Sequence, residues 1–125
     1  MTRSLNVRTL SGMPLPLTLS ASEAAAVQEF MVAAREMLGP ALKAVRLFGS
    51  RARGQGHEHS DLDLALIVET GGRARRHALY DLAFDIGLTH GVELAPLVLE
   101  EQQFQELKRR GRRIALEIEG EGIPL

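Results

Sequence analysis

The chain has 125 residues, with 15 Lys and Arg against 16 Asp and Glu, and no Cys. That length fits one domain with a real core and leaves no room for a separate substrate domain, so residues 1–125 read as one unit with an arm at 1–19 and a core at 20–125. Balanced charge gives no global field toward DNA, RNA or an anionic membrane, and the missing thiols exclude disulfides, thiolate metal sites and cysteine nucleophiles.

The first stretch, "MTRSLNVRTLSGMPLPL", has no continuous apolar h-region, and no apolar run anywhere approaches the ~20 residues of a membrane span. The expected location is therefore the cytoplasm. "LNVRTL" reads as extended, and the prolines of "GMPLPL" forbid a regular helix, so this is an edge strand or arm. "SASEAAAVQEFMVAAREMLGP" is a helix, with Ser20 at its cap, Glu23 completing a capping box and Gly39-Pro40 as its stop. "ALKAVRLFGS" is a strand whose apolar run through Val45, Leu47 and Phe48 is cut off by Gly49.

"SDLDLALIVE" is a second strand. Leu62, Leu64, Leu66 and Val68 share one face, while Asp61, Asp63, Ala65 and Ile67 share the other. Both faces turn apolar beyond Asp63, which predicts a central strand covered on both sides, with its acids at the entrance. "GGRARRHALYDLAFDIGLTHG" is a helix after a Gly-Gly turn, its stripe formed by Leu79, Leu82, Ala83 and Ile86. "VELAPLVLE" is a third strand, and Pro96 implies that it lies at a sheet edge or departs from the ladder midway. From Glu100 the pattern is helical again, with Phe104, Leu107, Ile114 and Ile118 on one stripe and Gly111 dividing or bending it. The expected fold class is α/β (α+β), a small mixed β-sheet backed by helices, without repeats or linkers.

Two features carry chemistry. The strand ending at Phe48 delivers the chain into Gly49-Ser50, and "SRARG" can form a helical turn whose leading N–H groups, with a serine hydroxyl, suit a phosphate. Glycine permits close approach, and Arg51 and Arg53 add charge nearby. Taken alone, an ordinary strand-to-helix turn explains this as well. Asp61 and Asp63, two apart on a strand, leave the same face with Cα atoms roughly 6.5–7 Å apart. Carboxylates so close repel, and burial raises their pKa unless a cation compensates. Mg²⁺ answers that conflict, because it takes a few carboxylates and completes its shell with phosphate oxygens and water.

Gly49-Ser50, ten further residues, then Asp61-Leu62-Asp63 on a strand, as in "GSRARGQGHEHSDLDLALIV", resembles the nucleotidyltransferases of the DNA polymerase beta superfamily, most closely the minimal nucleotidyltransferase (MNT-like) proteins. The coarse likeness runs from about residue 20 to the tail "IEGEGIPL". The resemblance implies a polymerase beta-like nucleotidyltransferase fold. It implies that Gly49 and Ser50 hold the phosphates of a nucleoside triphosphate, ATP in most small relatives, with Arg51 and Arg53 beside them. It implies that Asp61 and Asp63 coordinate two Mg²⁺ ions, with Mn²⁺ as the substitute. A third carboxylate on a later strand usually joins one metal and helps deprotonate the acceptor; Glu93 in "GVELAPLVL" is its best positional match, although many relatives carry Asp there and some carry no acid.

The function so implied is transfer of AMP from ATP to a hydroxyl. Minimal members commonly pair with HEPN-type toxins as the antitoxin half of a two-gene system, so the expected acceptor lies on a partner protein. Two alternatives stand: a catalytically silent module that neutralises its partner by binding, and transfer to a small molecule. Neither membrane nor nucleic acid is expected as a partner, and homo-oligomerisation stays open. Other patterns are weaker. "HEHSDLD" shares His57, His59 and Asp61 with a zinc hydrolase code but has Leu62 where the last His belongs, and the two histidines stay unassigned. His77, Asp81 and Asp85 on one helix face, and "KRRGRR" at 108–113, read as solvated charged surfaces.

Overall fold

A computed structural model of the chain describes residues 8–10, 13–15, 19–54, 61–69 and 71–125. In the arm, β1 (Arg8–Leu10) and β2 (Met13–Leu15) pair antiparallel as a separate two-stranded sheet. The beginning of the predicted "LNVRTL" strand, with His57 and His59, lies outside the described residues.

The capping box forms as the sequence requires. The Ser20 hydroxyl accepts from the Glu23 N–H at 3.1 Å, the Glu23 carboxylate accepts from the Ser20 N–H at 2.8 Å, and α1 (Ala21–Leu38) follows. Ala26, Val27, Phe30, Met31, Ala34 and Leu38 form its buried stripe at helical spacing. Gly39-Pro40 stops it, and a single 3-10 turn leads into β3 (Leu42–Phe48).

β4 (Leu62–Val68) pairs antiparallel with β3 and parallel with β5 (Leu94–Glu100), the parallel connection being made by α2 (Arg76–His90). β5 lies at the sheet edge, as Pro96 demands, and β4 is central. Two helices, α3 (Glu101–Arg109) and α4 (Arg113–Glu121), replace the one segment that Gly111 divides. A two-residue β6 (Ile123–Pro124) then pairs antiparallel with β3 on the edge opposite β5.

The alternation read along β4 is what layers the molecule. Leu62, Leu64, Leu66 and Val68 join α1, α2, Val45 and Leu47 in one core, and Ala65 and Ile67 join Phe48, Leu99, α3 and α4 in another. Burying each such Leu or Phe contributes about 1.5–3 kcal/mol, so β4 is the element both layers depend on. One expected core position shifts. Ile114 is exposed and Ala115 takes the buried place, because α4 starts afresh after Gly111 and its stripe is out of phase with that of α3.

Candidate active site

The site opens where β3 ends. Gly49 has φ 81, a left-handed value that other residues adopt at a cost, and the chain curls at once into a helical turn. Ala52 and Arg53 N–H groups donate to the Gly49 carbonyl at 3.1 and 3.3 Å, and Gly54 donates to the Arg51 carbonyl at 3.3 Å. Glycine has a second reason to be here. A Cβ built on Gly49 would fall on Oδ2 of Asp63, since Asp63 pairs with Phe48 in the β3–β4 register. The acid therefore lies directly against the backbone of the turn.

Asp61 precedes the first paired residue of β4 and is exposed, whereas Asp63 is half-buried within the strand. Burial, then the negative charge of Asp61, then that of Glu117 push the Asp63 carboxyl above its ordinary value. Among the described residues neither aspartate forms an ion pair. Glu117 comes from α4 and gave no signal in the sequence, because its proximity to Asp63 is set by how α4 packs on the sheet.

Arg51 requires a correction. Expected beside the phosphates, its guanidinium instead turns inward and makes two 2.7 Å hydrogen bonds to the two carboxylate oxygens of Glu23, with both residues almost fully buried. A planar fork matched to a carboxylate is the one arrangement that makes such burial affordable. Burial alone would raise the Glu23 carboxyl, but the Arg51 bonds and charge, with the Ser20 N–H and hydroxyl, hold it below its ordinary value. The sequence marked Glu23 as a helix cap. Its second duty, anchoring the Gly49–Gly54 turn to α1, depends on a contact 28 residues away.

Arg53 reaches across to α4, with Nη1 3.0 Å from Glu121 Oε1 and 3.8 Å from Glu117 Oε1. Glu93 is exposed; its carbonyl accepts from the Leu62 N–H at 2.9 Å and ties the start of β5 to that of β4. Its side chain does not complete a metal-binding cluster: among the described residues, no three His, Asp or Glu side chains gather closely enough to hold an ion. The structure thus brings Gly49, Ser50, Asp61 and Asp63 together, directs Arg51 beneath them and leaves Glu93 outside the pair. Two crowded hard-oxygen donors beside a phosphate-compatible turn fit a divalent ion that takes its remaining ligands from phosphate and water. Among the described residues no helix is long and apolar enough to cross a membrane.

Comparison with known proteins places the chain in a family. The chain is 32% identical over 77 residues to a Methanocaldococcus jannaschii protein provisionally described as protein adenylyltransferase MJ1305, an overlap of 59% of this chain and 52% of that protein. The chain therefore spans about half the length of that relative. A solved structure provisionally described as a minimal nucleotidyltransferase superposes with a TM-score of 0.50 and 30% identity, over 81% of this chain and 91% of that one. A toxin–antitoxin crystal structure with AMP-PNP superposes with a TM-score of 0.49 and 17% identity, over 77% of this chain and 69% of that one. Residues 36–125, which contain the turn, both aspartates and the whole four-stranded sheet, match the family described as Polymerase beta, Nucleotidyltransferase. The chain belongs to the polymerase beta nucleotidyltransferase family, as an MNT-like domain.

Proposed function

We propose that this nucleotidyltransferase domain is a Mg²⁺-dependent adenylyltransferase that moves AMP from ATP to a hydroxyl on a partner protein, as the antitoxin of a HEPN/MNT pair. The observation that carries the reading is Asp63 itself. A half-buried carboxyl, crowded by Asp61 and Glu117 and pressed against the glycine of a phosphate-compatible turn, has no cationic partner among the described residues. Such a group costs stability until a cation arrives. Adenylyl specificity and a protein acceptor are supported by the description of the archaeal relative.

In this reading Gly49 and Ser50 hold the triphosphate, and Asp61 and Asp63 would hold Mg²⁺, which when bound neutralises charge on phosphate and leaving oxygens. Arg53 would exchange Glu121 for a phosphate oxygen. The acceptor oxygen forms its bond to the α-phosphorus, the bond to pyrophosphate breaks, and the hydroxyl proton is released. The chain's own contribution is to position and to exclude competing charge.

The test is transfer of label from α-labelled ATP to a co-expressed partner in the presence of Mg²⁺, with Asp63→Asn as the control. Label on the partner that disappears in the variant supports the reading. Among the described residues no third carboxylate converges on the pair, which favours one alternative, a silent binding module. That alternative holds if the wild type neutralises its partner and no label is ever transferred.

A further inference from the structure

The remainder of the surface contains one feature the reaction does not use. α2 and the start of β5 enclose a groove of about 300 Å³ lined by Tyr80, Phe84, Leu88, Val92, Leu94 and Pro96. Tyr80, Phe84 and Leu88 recur at helical spacing, and Phe84 and Leu88 are 66% and 68% exposed. Contiguous exposed apolar residues, aromatic ones above all, mark surfaces that meet a partner. The floor is closed by backbone: a Cβ on Gly87 would run into the Val92 carbonyl, so α2 and the segment just before β5 approach as closely as backbones allow. The far wall is the edge strand, whose outer side pairs with no described strand.

The rim selects the occupant. Asp81 and Asp85 flank the apolar stripe on α2 and Glu93 stands at the mouth, all three exposed and none in an ion pair among the described residues. An acidic rim repels anionic lipid headgroups. It also disfavours a second copy, because antiparallel pairing of α2 about Phe84 would bring Asp81 and Asp85 of both copies together. A groove with Phe84 and Leu88 two-thirds exposed along one wall does not enclose a small molecule. What it does fit is a polypeptide segment with apolar anchors flanked by Lys or Arg.

The groove and the acids share one end of the sheet, the groove on the α2 face and Asp63 on the face that α3 and α4 cover. β4 and β5 start at the same end of the sheet, with Leu94 paired to Leu62 and Ala95 to Asp63. From these placements we infer that the α2–β5 groove is the docking surface for the acceptor protein, recognising an amphipathic segment with basic flanks and holding it at the end of the sheet that carries the Asp61–Asp63 pair. This rests on the proposal that the acceptor is a protein.

The experiment uses the full chain and two synthetic amphipathic helical peptides that share one apolar face and differ only in their flanks, Lys in one and Glu in the other. Fluorescence anisotropy should show the Lys peptide binding about tenfold tighter, with the preference weakening as salt rises. Phe84→Ser and Leu88→Ser should abolish binding, Asp81→Asn with Asp85→Asn should erase the charge preference, and Leu116→Ser, at an exposed apolar site on α4, should change nothing. Equal binding of both peptides, equal loss in Leu116→Ser, or a wild-type dimer that Phe84→Ser turns into a monomer would each overturn the inference. Thermal protection by ATP with Mg²⁺ should be unaltered in Phe84→Ser. Failure of the peptide assay with that protection intact condemns the groove alone, and failure of label transfer leaves the peptide result standing.

Discussion

Two carboxyl groups lie against the same turn and meet opposite fates. Glu23, beneath it, is buried and matched atom for atom by the guanidinium of Arg51, so its carboxyl is held below the ordinary range. Asp63, above it, is half-buried among other acids, so its carboxyl is pushed up. The first charge is compensated within the fold, and the second has no cationic partner among the described residues, which is what the proposed metal role asks of it. Compensation marks a carboxylate that holds structure, and its lack marks one kept for a ligand.

The largest effect should come from breaking the compensated side. Arg51→Ala leaves Glu23 buried without a partner and should cost about 3–5 kcal/mol in urea unfolding. The Glu23→Leu/Arg51→Met double variant should recover much of that loss, because no buried charge is then stranded. Equal losses in the single and double variants would mean that the pair does not carry the turn.

Gly49→Ala probes where the two sides meet. The left-handed backbone alone should cost about 1–2 kcal/mol. The added methyl would also displace the end of the Asp63 side chain, which is cheap for stability and damaging for the proposed metal site. Mg²⁺-dependent protection by ATP should therefore fall much further than the melting temperature of the free protein.

A smaller effect of opposite sign is expected at Asp63. Asp63→Asn removes a crowded charge, so the ligand-free variant should melt a few degrees higher than wild type at neutral pH while losing all Mg²⁺–ATP protection. Because the native carboxyl binds its proton more tightly than the unfolded chain does, ionising it costs stability as pH rises from the ordinary carboxylate value through the raised native one. The advantage of the variant should accordingly vanish in acid and be complete above that window. Glu23 runs the other way: its contribution is present above the ordinary carboxylate value and is lost as pH falls through the lowered native one. Melting curves of wild type, Asp63→Asn and Glu23→Gln against pH separate the two.

Much of this was legible in the sequence where the signal is local or periodic. The Ser20–Glu23 box, the two faces of β4, the edge position announced by Pro96 and the break at Gly111 all follow from neighbours a few residues apart. Gly49, Ser50, Asp61 and Asp63 were singled out through a family resemblance, since neither the turn nor the Asp-Leu-Asp pattern alone decided for a site. What escaped depends on elements meeting at a distance. Nothing near residue 51 says that its guanidinium will find Glu23, nothing near residue 117 says that it will face Asp63, and the exposed stripe on α2 is visible only when β5 is beside it. Ile114 was misjudged because one helical phase was carried through a glycine that resets it.

Glu23 has one further consequence, which concerns the order in which structure can be acquired. Its carboxylate is fixed in space by a partner three residues away and then used by one 28 residues away. Until the first turn of α1 has formed, Arg51 has no oriented acceptor to close upon. The Gly49–Gly54 turn is therefore expected to mature after the first helix has nucleated, an order that φ-values at Ser20 and Arg51 would check. Fraying at the start of α1, remote as it is from the aspartates, loosens the ground on which they stand.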